Sequence, residues 1–149
     1  NGVPIALMGS TDEALSTAAK SLKDQVTGLE VAICIAPPMG FDPKGPDARR
    51  ILQEIAASGA GLTFIALGAP KQEIYAAFGR EVTPHMGFAS IGAGLDFLAG
   101  RQARAPYWVR KIQMEWAWRM LSNPRRLVKR YAECATILPG EALRAVKQR

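Results

Sequence analysis

The chain has 149 residues, 48% apolar and 21% charged, a composition that fits one globular domain with a sizeable core and excludes a disordered segment. Its longest nearly apolar run, Val31 to Phe41, is broken by Pro37 and Pro38 and falls well short of the ~20 residues that span a bilayer. The net charge of +6 is unevenly divided: residues 1–100 carry seven Lys and Arg against ten Asp and Glu, and residues 101–149 carry twelve against three. The basic excess therefore lies in the tail and implies a polyanionic partner, which is a phosphate-bearing substrate, an anionic membrane surface or a nucleic acid.

Asn1-Gly2-Val3-Pro4 leads directly into a first apolar strand, Val3 to Met8, with neither an initiator Met nor a leader, so the sequence reads as part of a longer chain. Gly9 ends that strand, and Ser10 with Glu13 has the S-x-x-E spacing of a capping box for a helix over about Thr11 to Asp24. Ala14, Leu15, Ala18, Ala19 and Leu22 give this helix one apolar face. Leu29 to Ile35 is the next buried-type strand, with a rigid Pro37-Pro38-Met39-Gly40-Phe41 loop at its carboxyl end. Gly45, Pro46 and Asp47 start a helix through about Ser58, with Ile51, Leu52 and Ile55 inward. Cys34 in a strand-like run and Cys134 in a helix-like one have no metal spacing and no disulfide framework. Both are expected as buried thiols in a reducing compartment.

The stretch Leu62 to Glu73, LTFIALG then APKQE, is a continuous apolar run that stops at Gly68, takes Pro70, and opens an amphipathic segment ending near Gly79. It reads as a buried strand feeding a helix N-terminus, the junction where parallel sheets bind ligands and where backbone N–H groups favour anions. Gln72 and Glu73 fall in the first helical turn, facing the crevice or capping the turn. The plainer reading is an ordinary strand-to-helix turn, with Pro70 near the first helical position and Glu73 answering the helix dipole. Met86 to Ile91 is a fourth strand running into Gly92-Ala93-Gly94-Leu95-Asp96-Phe97-Leu98-Ala99-Gly100. Strands alternating with helices of this length predict an α/β fold, a Rossmann-like, mostly parallel sheet flanked by helices.

After Gly100 the character changes to a basic helical appendage. Ala105-Pro106 opens a helix to about Leu121, with Val109, Ile112, Trp116 and Met120 as an apolar stripe and Lys111, Glu115 and Arg119 as a charged row. Asn123-Pro124 opens another to about Leu138, and a short one follows from Glu141. The organisation expected is residues 1–103 as a nucleotide-binding α/β domain and 104–149 as the appendage.

Three stretches together resemble one family: GAPKQE at 68–73, GAGLDFLAG at 92–100, and RAPYW, EWAWR and NPRRLVKRY between 104 and 131. They are similar to the WecG/TagA/CpsF glycosyltransferases, glycosyltransferase family 26. The resemblance covers essentially the whole chain and implies that family members continue upstream of Asn1. It implies an inverting, metal-independent transfer of a sugar, N-acetylmannosamine or a related hexose, from a UDP-sugar donor to a polyprenyl-diphosphate-linked acceptor. The setting it implies is cell-surface polysaccharide or teichoic acid synthesis, with the protein peripheral on the cytoplasmic face of the plasma membrane. No cofactor is implied, a homo-oligomer is admitted, and the general base, an aspartate, is expected in the upstream part.

The residue chemistry fits that expectation. A departing UDP needs its diphosphate charge neutralised, and an enzyme without a metal does so with guanidinium groups and backbone donors. No D-x-D occurs to seat a divalent cation. Arg119, Arg126 and Arg130 match the family's E-W-x-x-R and P-x-R-L-x-x-R positions and suit bidentate contact with phosphate, against the alternative of a solvated basic face. Gln72 resembles the family's active-site glutamine, which donates to the diphosphate or orients the sugar; the alternative is a first-turn surface residue. Gly68, Pro70 and Lys71 belong to the same diphosphate-binding block, and Gly92 and Gly94 would let the backbone approach the nucleotide closely. Asp96 follows a glycine-rich strand end, where an acidic group meets ribose or base hydroxyls, or else caps the following turn. His85, the one histidine, has no partner in sequence and reads as structural.

Trp108, Trp116 and Trp118, interleaved with Arg and Lys, have the composition of a helix at a lipid interface; the competing reading is that they dock the tail on the α/β core. The rival to a transferase, which takes no nucleic acid, is a non-enzymatic basic nucleotide- or nucleic-acid-binding module.

Overall fold

In a computed structural model of the chain, residues 2–98, 100 and 106–122 are described, with the backbone alone at Asp96, Trp116, Arg119 and Ser122. Four strands, β1 (Ile5–Gly9), β2 (Val31–Ile35), β3 (Leu62–Ala66) and β4 (Gly87–Ser90), form one sheet in the order β2-β1-β3-β4. Every neighbouring pair is parallel, so each connection crosses over through a helix: α1 (Asp12–Gln25), α2 (Pro46–Ala57) and α3 (Lys71–Val82). This is the α/β, Rossmann-like arrangement that the alternating pattern predicts. A short α4 (Gly94–Leu98) follows β4.

Alternation along β1 divides the core. Ile5 and Leu7 pack with Ala14, Leu15 and Ala18 of α1 and Leu95 of α4 on one face. Ala6 and Met8 pack with Ile51, Leu52 and Ile55 of α2 and with Ile65 and Tyr75 on the other. Both faces being covered explains why β1 is buried throughout and reads as a continuous apolar run. Helix α1 therefore lies on the face opposite α2 and α3. The chain reverses its direction across the sheet at β1, and the switch point falls between the carboxyl ends of β1 and β3.

Several local expectations shift. The N-cap of α1 is Thr11, whose hydroxyl accepts from the Ala14 N–H at 3.4 Å, while Ser10 takes a left-handed φ of 56° just ahead of it. Pro70 is the N-cap of α3, one position earlier than expected. Strand β2 is only partly buried, and Cys34 is exposed rather than buried, because β2 is the edge of the sheet and lacks a neighbour on one side. Partial desolvation raises the Cys34 thiol above its ordinary pKa, with Lys23 opposing, which makes it a poor nucleophile at neutral pH. His85 is exposed.

The chain divides into two units, residues 1–103 and 104–149. In the second, the single helix expected over 105–121 is two, α5 (Tyr107–Lys111) and α6 (Glu115–Ser122). The break passes through Gln113, which takes a left-handed φ of 57°, so the apolar stripe and the charged row do not run on from Lys111 to Glu115 along one helix. The helices expected after Asn123 lie outside the described residues.

Candidate active site

All four strands deliver their carboxyl ends to one edge of the sheet, and the loops there carry the residues singled out from sequence. At the end of β1, Gly9 has a φ of 118°, and a Cβ placed on it would lie 2.5 Å from the Ala66 carbonyl oxygen of β3. Only glycine permits both that dihedral and that approach, so the two central strands close together at the switch point.

At the end of β3 the chain turns through Gly68, with a φ of 77°, and a cis Ala69–Pro70 peptide into α3. The Gln72 N–H donates back to the Gly68 carbonyl at 3.1 Å, which folds the turn onto the helix start, and no side chain caps that start. At the end of β4 the Ile91 and Gly92 N–H groups both donate to the Ile65 carbonyl, at 2.9 and 3.3 Å. This hooks Gly92, with a φ of 51°, back over β3 and beside Gln72, so that a Cβ on Gly92 would sit 3.5 Å from Gln72 Oε1. Gly94 then opens α4, and Asp96 is the third residue of that helix, not its cap.

Beyond β2, the Phe41 N–H closes the Pro38–Phe41 turn on the Pro38 carbonyl at 3.1 Å. Lys71 reaches across from α3, its ammonium donating to the Phe41 carbonyl at 2.9 Å. The buried rings of Phe41 and Tyr75 meet edge to face with centroids 5.6 Å apart, a geometry that aromatic quadrupoles favour. Lys71 thus anchors the β2 loop to the start of α3 in this structure. A shallow cleft of about 210 Å³ opens in this loop, among Pro38, Met39, Phe41, Asp42 and Pro46.

Two side-chain polar atoms here are buried without a hydrogen-bond partner, Gln72 Oε1 and the Tyr75 hydroxyl, on one face of α3 three positions apart. Burial pushes the Tyr75 phenol well above its ordinary range, so it stays protonated and can donate as well as accept. An open groove of about 460 Å³ lies elsewhere, between α1 and β2 along Ser16, Lys20, Lys23, Val31 and Cys34. Neither unpartnered atom is in it, so the carboxyl edge is the stronger candidate.

The structure therefore gathers Gly68, Pro70, Lys71, Gln72, Gly92 and Gly94 at one edge of the sheet. Gln72 is 8% exposed and not a first-turn surface residue. Arg119 lies in α6 with its backbone alone described, and Arg126 and Arg130 lie outside the described residues. Trp108 and Trp118 are exposed, in company with Tyr107, Ile112 and Leu121; Trp116 is described by its backbone alone. Sequence reasoning gave Gly9, Ser10 and Phe41 structural roles only, placed Glu73 in the first helical turn without pairing it to Gln72, and passed over Tyr75. The signal for Tyr75 was present in its i+3 spacing from Gln72.

Among the described residues no group of three or more His, Cys, Asp or Glu side chains is placed to hold a metal ion, and no helix is long and apolar enough to cross a membrane. A family model described as "Glycosyl transferase WecG/TagA/CpsF family" matches residues 1–149. The chain belongs to this family, which is made up of glycosyltransferases of cell-surface polysaccharide synthesis.

Proposed function

We propose that this member of the WecG/TagA/CpsF family moves a sugar, N-acetylmannosamine or a related hexose, from a UDP-sugar to a polyprenyl-diphosphate-linked acceptor. The transfer is inverting, needs no metal, and takes place at the cytoplasmic face of the plasma membrane. The observation that carries the reading is the buried Gln72, its carbonyl oxygen without a hydrogen-bond donor, at the carboxyl edge of a parallel sheet, beside Gly92 and next to the start of α3, which no side chain caps. In this reading residues 1–103 are the nucleotide-sugar domain. The glycine turns at Gly68, Gly92 and Gly94 bring backbone donors to the donor substrate, Pro70 and Lys71 shape the turn beneath the diphosphate, and Asp96 meets ribose or base hydroxyls. Residues 104–149 supply Arg119, Arg126 and Arg130 to the diphosphate as it departs, and Trp108, Trp116 and Trp118 to the lipid surface. No resident cofactor takes part.

The rival reading, a basic nucleic-acid-binding module, predicts binding that collapses steeply as salt rises, because counterion release drives it. The transferase predicts saturable UDP binding that survives moderate salt, measured by titrating UDP and a short oligonucleotide at two ionic strengths. Arg119→Ala and Arg126→Ala should each weaken UDP binding by about tenfold or more, the scale of one charge-assisted hydrogen bond in a sheltered site. Wild-type affinity in both variants would remove these residues from the diphosphate site.

A further inference from the structure

The surroundings of the Gln72 side chain leave its amide one polarity. Its Nε2 lies 2.7 Å from Glu73 Oε1. An ionised carboxylate only accepts, so the atom facing it must be the amide nitrogen, and the carbonyl oxygen must face the other way. That oxygen, Oε1, is the atom left buried with no donor, on the side of Gly92. A buried acceptor without a donor is costly, by more than an average hydrogen bond contributes, so it calls for a partner when the site is filled.

We infer that Glu73 is a positioning residue that sets Gln72 as a hydrogen-bond acceptor, so that Gln72 reads an O–H or N–H donor of the nucleotide sugar rather than donating to its diphosphate. The inference rests on the transferase reading for the identity of the ligand, and on geometry alone for the polarity. Gly92, held at a left-handed φ of 51°, lies against this amide on the Oε1 side: a Cβ built there would be 3.5 Å from Oε1 and 3.9 Å from Nε2, ordinary contact distances. No side chain caps the start of α3, and although the Gln72 N–H is taken by the Gly68 carbonyl, a helix N-terminus favours anions by itself, which frees the Gln72 side chain for a different task.

The test compares Glu73→Gln, which keeps an acceptor for Nε2, with Glu73→Ala, which removes it, and Glu73→Lys, which replaces it with a donor and turns the amide round. Binding of UDP-N-acetylmannosamine to the chain should be near wild type in Glu73→Gln, about tenfold weaker in Glu73→Ala and at least as weak in Glu73→Lys, with all three melting close to wild type. The Gln72 side-chain amide, followed by NMR without ligand, should show one hydrogen-bonded proton in wild type and Glu73→Gln and none in Glu73→Ala. Unchanged affinity in Glu73→Ala, or an unchanged Gln72 amide in it, overturns the inference. Loss of affinity in Glu73→Gln equal to that in Glu73→Ala does so too, since charge rather than acceptor placement would then be at work. Failure of the wild-type chain to bind UDP-N-acetylmannosamine overturns instead the transferase reading on which the ligand rests, while the amide resonances still decide the polarity.

Discussion

Gly9→Ala should cost about 3–5 kcal/mol of folding stability, a third or more of what a typical domain has in total. Two penalties combine. The backbone at Gly9 has a φ of 118°, which an L side chain rarely adopts, and the added methyl would lie 2.5 Å from the Ala66 carbonyl oxygen and 2.6 Å from its carbon. Those atoms belong to a strand paired on both sides, to β1 and to β4, so they cannot retreat as a flexible side chain would. For a chain of this length the melting temperature should fall by roughly 10–15 °C. Gly28→Ala provides the control: its φ of 79° carries the backbone strain, but nothing lies within 4 Å of the added atom. It should cost only about 1–2 kcal/mol. A Gly9→Ala protein as stable as Gly28→Ala would mean that β1 and β3 do not close at the switch point in this way.

Deleting residues 104–149 should abolish binding to anionic vesicles while leaving the α/β unit folded. The tail holds twelve of the chain's Lys and Arg residues against three acids, and each basic side chain near an anionic leaflet contributes about 1 kcal/mol. Several acting together amount to orders of magnitude in partitioning, reversible and sensitive to salt. Exposed Tyr107, Trp108 and Leu121 add apolar contact at the headgroup level. Both described core clusters, around Leu7 and around Met8, are built from residues before 104, so the remaining unit keeps its interior. Sedimentation with vesicles of phosphatidylcholine alone and with added phosphatidylglycerol would measure this. Unchanged binding of the truncated chain would put the membrane contact in residues 1–103.

The elements most legible in the sequence were those whose ends carry chemistry of their own. Gly45 and Pro46 mark the start of α2 to the residue, and the β3–α3 junction follows from an apolar run stopped by Gly68 and Pro70. What local pattern does not encode is order across the sheet. Val31–Ile35 is as apolar as an interior strand, yet its place at the edge leaves Cys34 at the surface. The break between α5 and α6 was equally hidden, because Ile112-Gln113-Met114 holds neither glycine nor proline and the periodicity continues through it. The N-cap of α1 moved by one because Ser10 and Thr11 are chemically equivalent caps, and spacing to Glu13 alone chose the wrong one.

At the site, the resemblance drew attention to Gln72, and the fold supplied its burial and its neighbours. Its polarity depends on which amide atom faces Glu73, a matter of one rotamer that no motif records. The Phe41–Tyr75 contact and the tie from Lys71 to the Phe41 carbonyl join segments 30 and more positions apart, so they exist only once β2 and α3 are in place. The roles assigned to Arg126 and Arg130 continue to rest on their match to the family pattern.

Under the proposed function this chain recognises UDP without a metal. Calorimetric titration of UDP into the 149-residue chain in EDTA, with CMP and ADP as controls, tests it most directly. Saturable binding of UDP is expected, with CMP and ADP at least tenfold weaker, the discrimination expected where buried polar groups read the base. Equal binding of all three nucleotides, or UDP binding that appears only when Mg²⁺ or Mn²⁺ is restored, would contradict it.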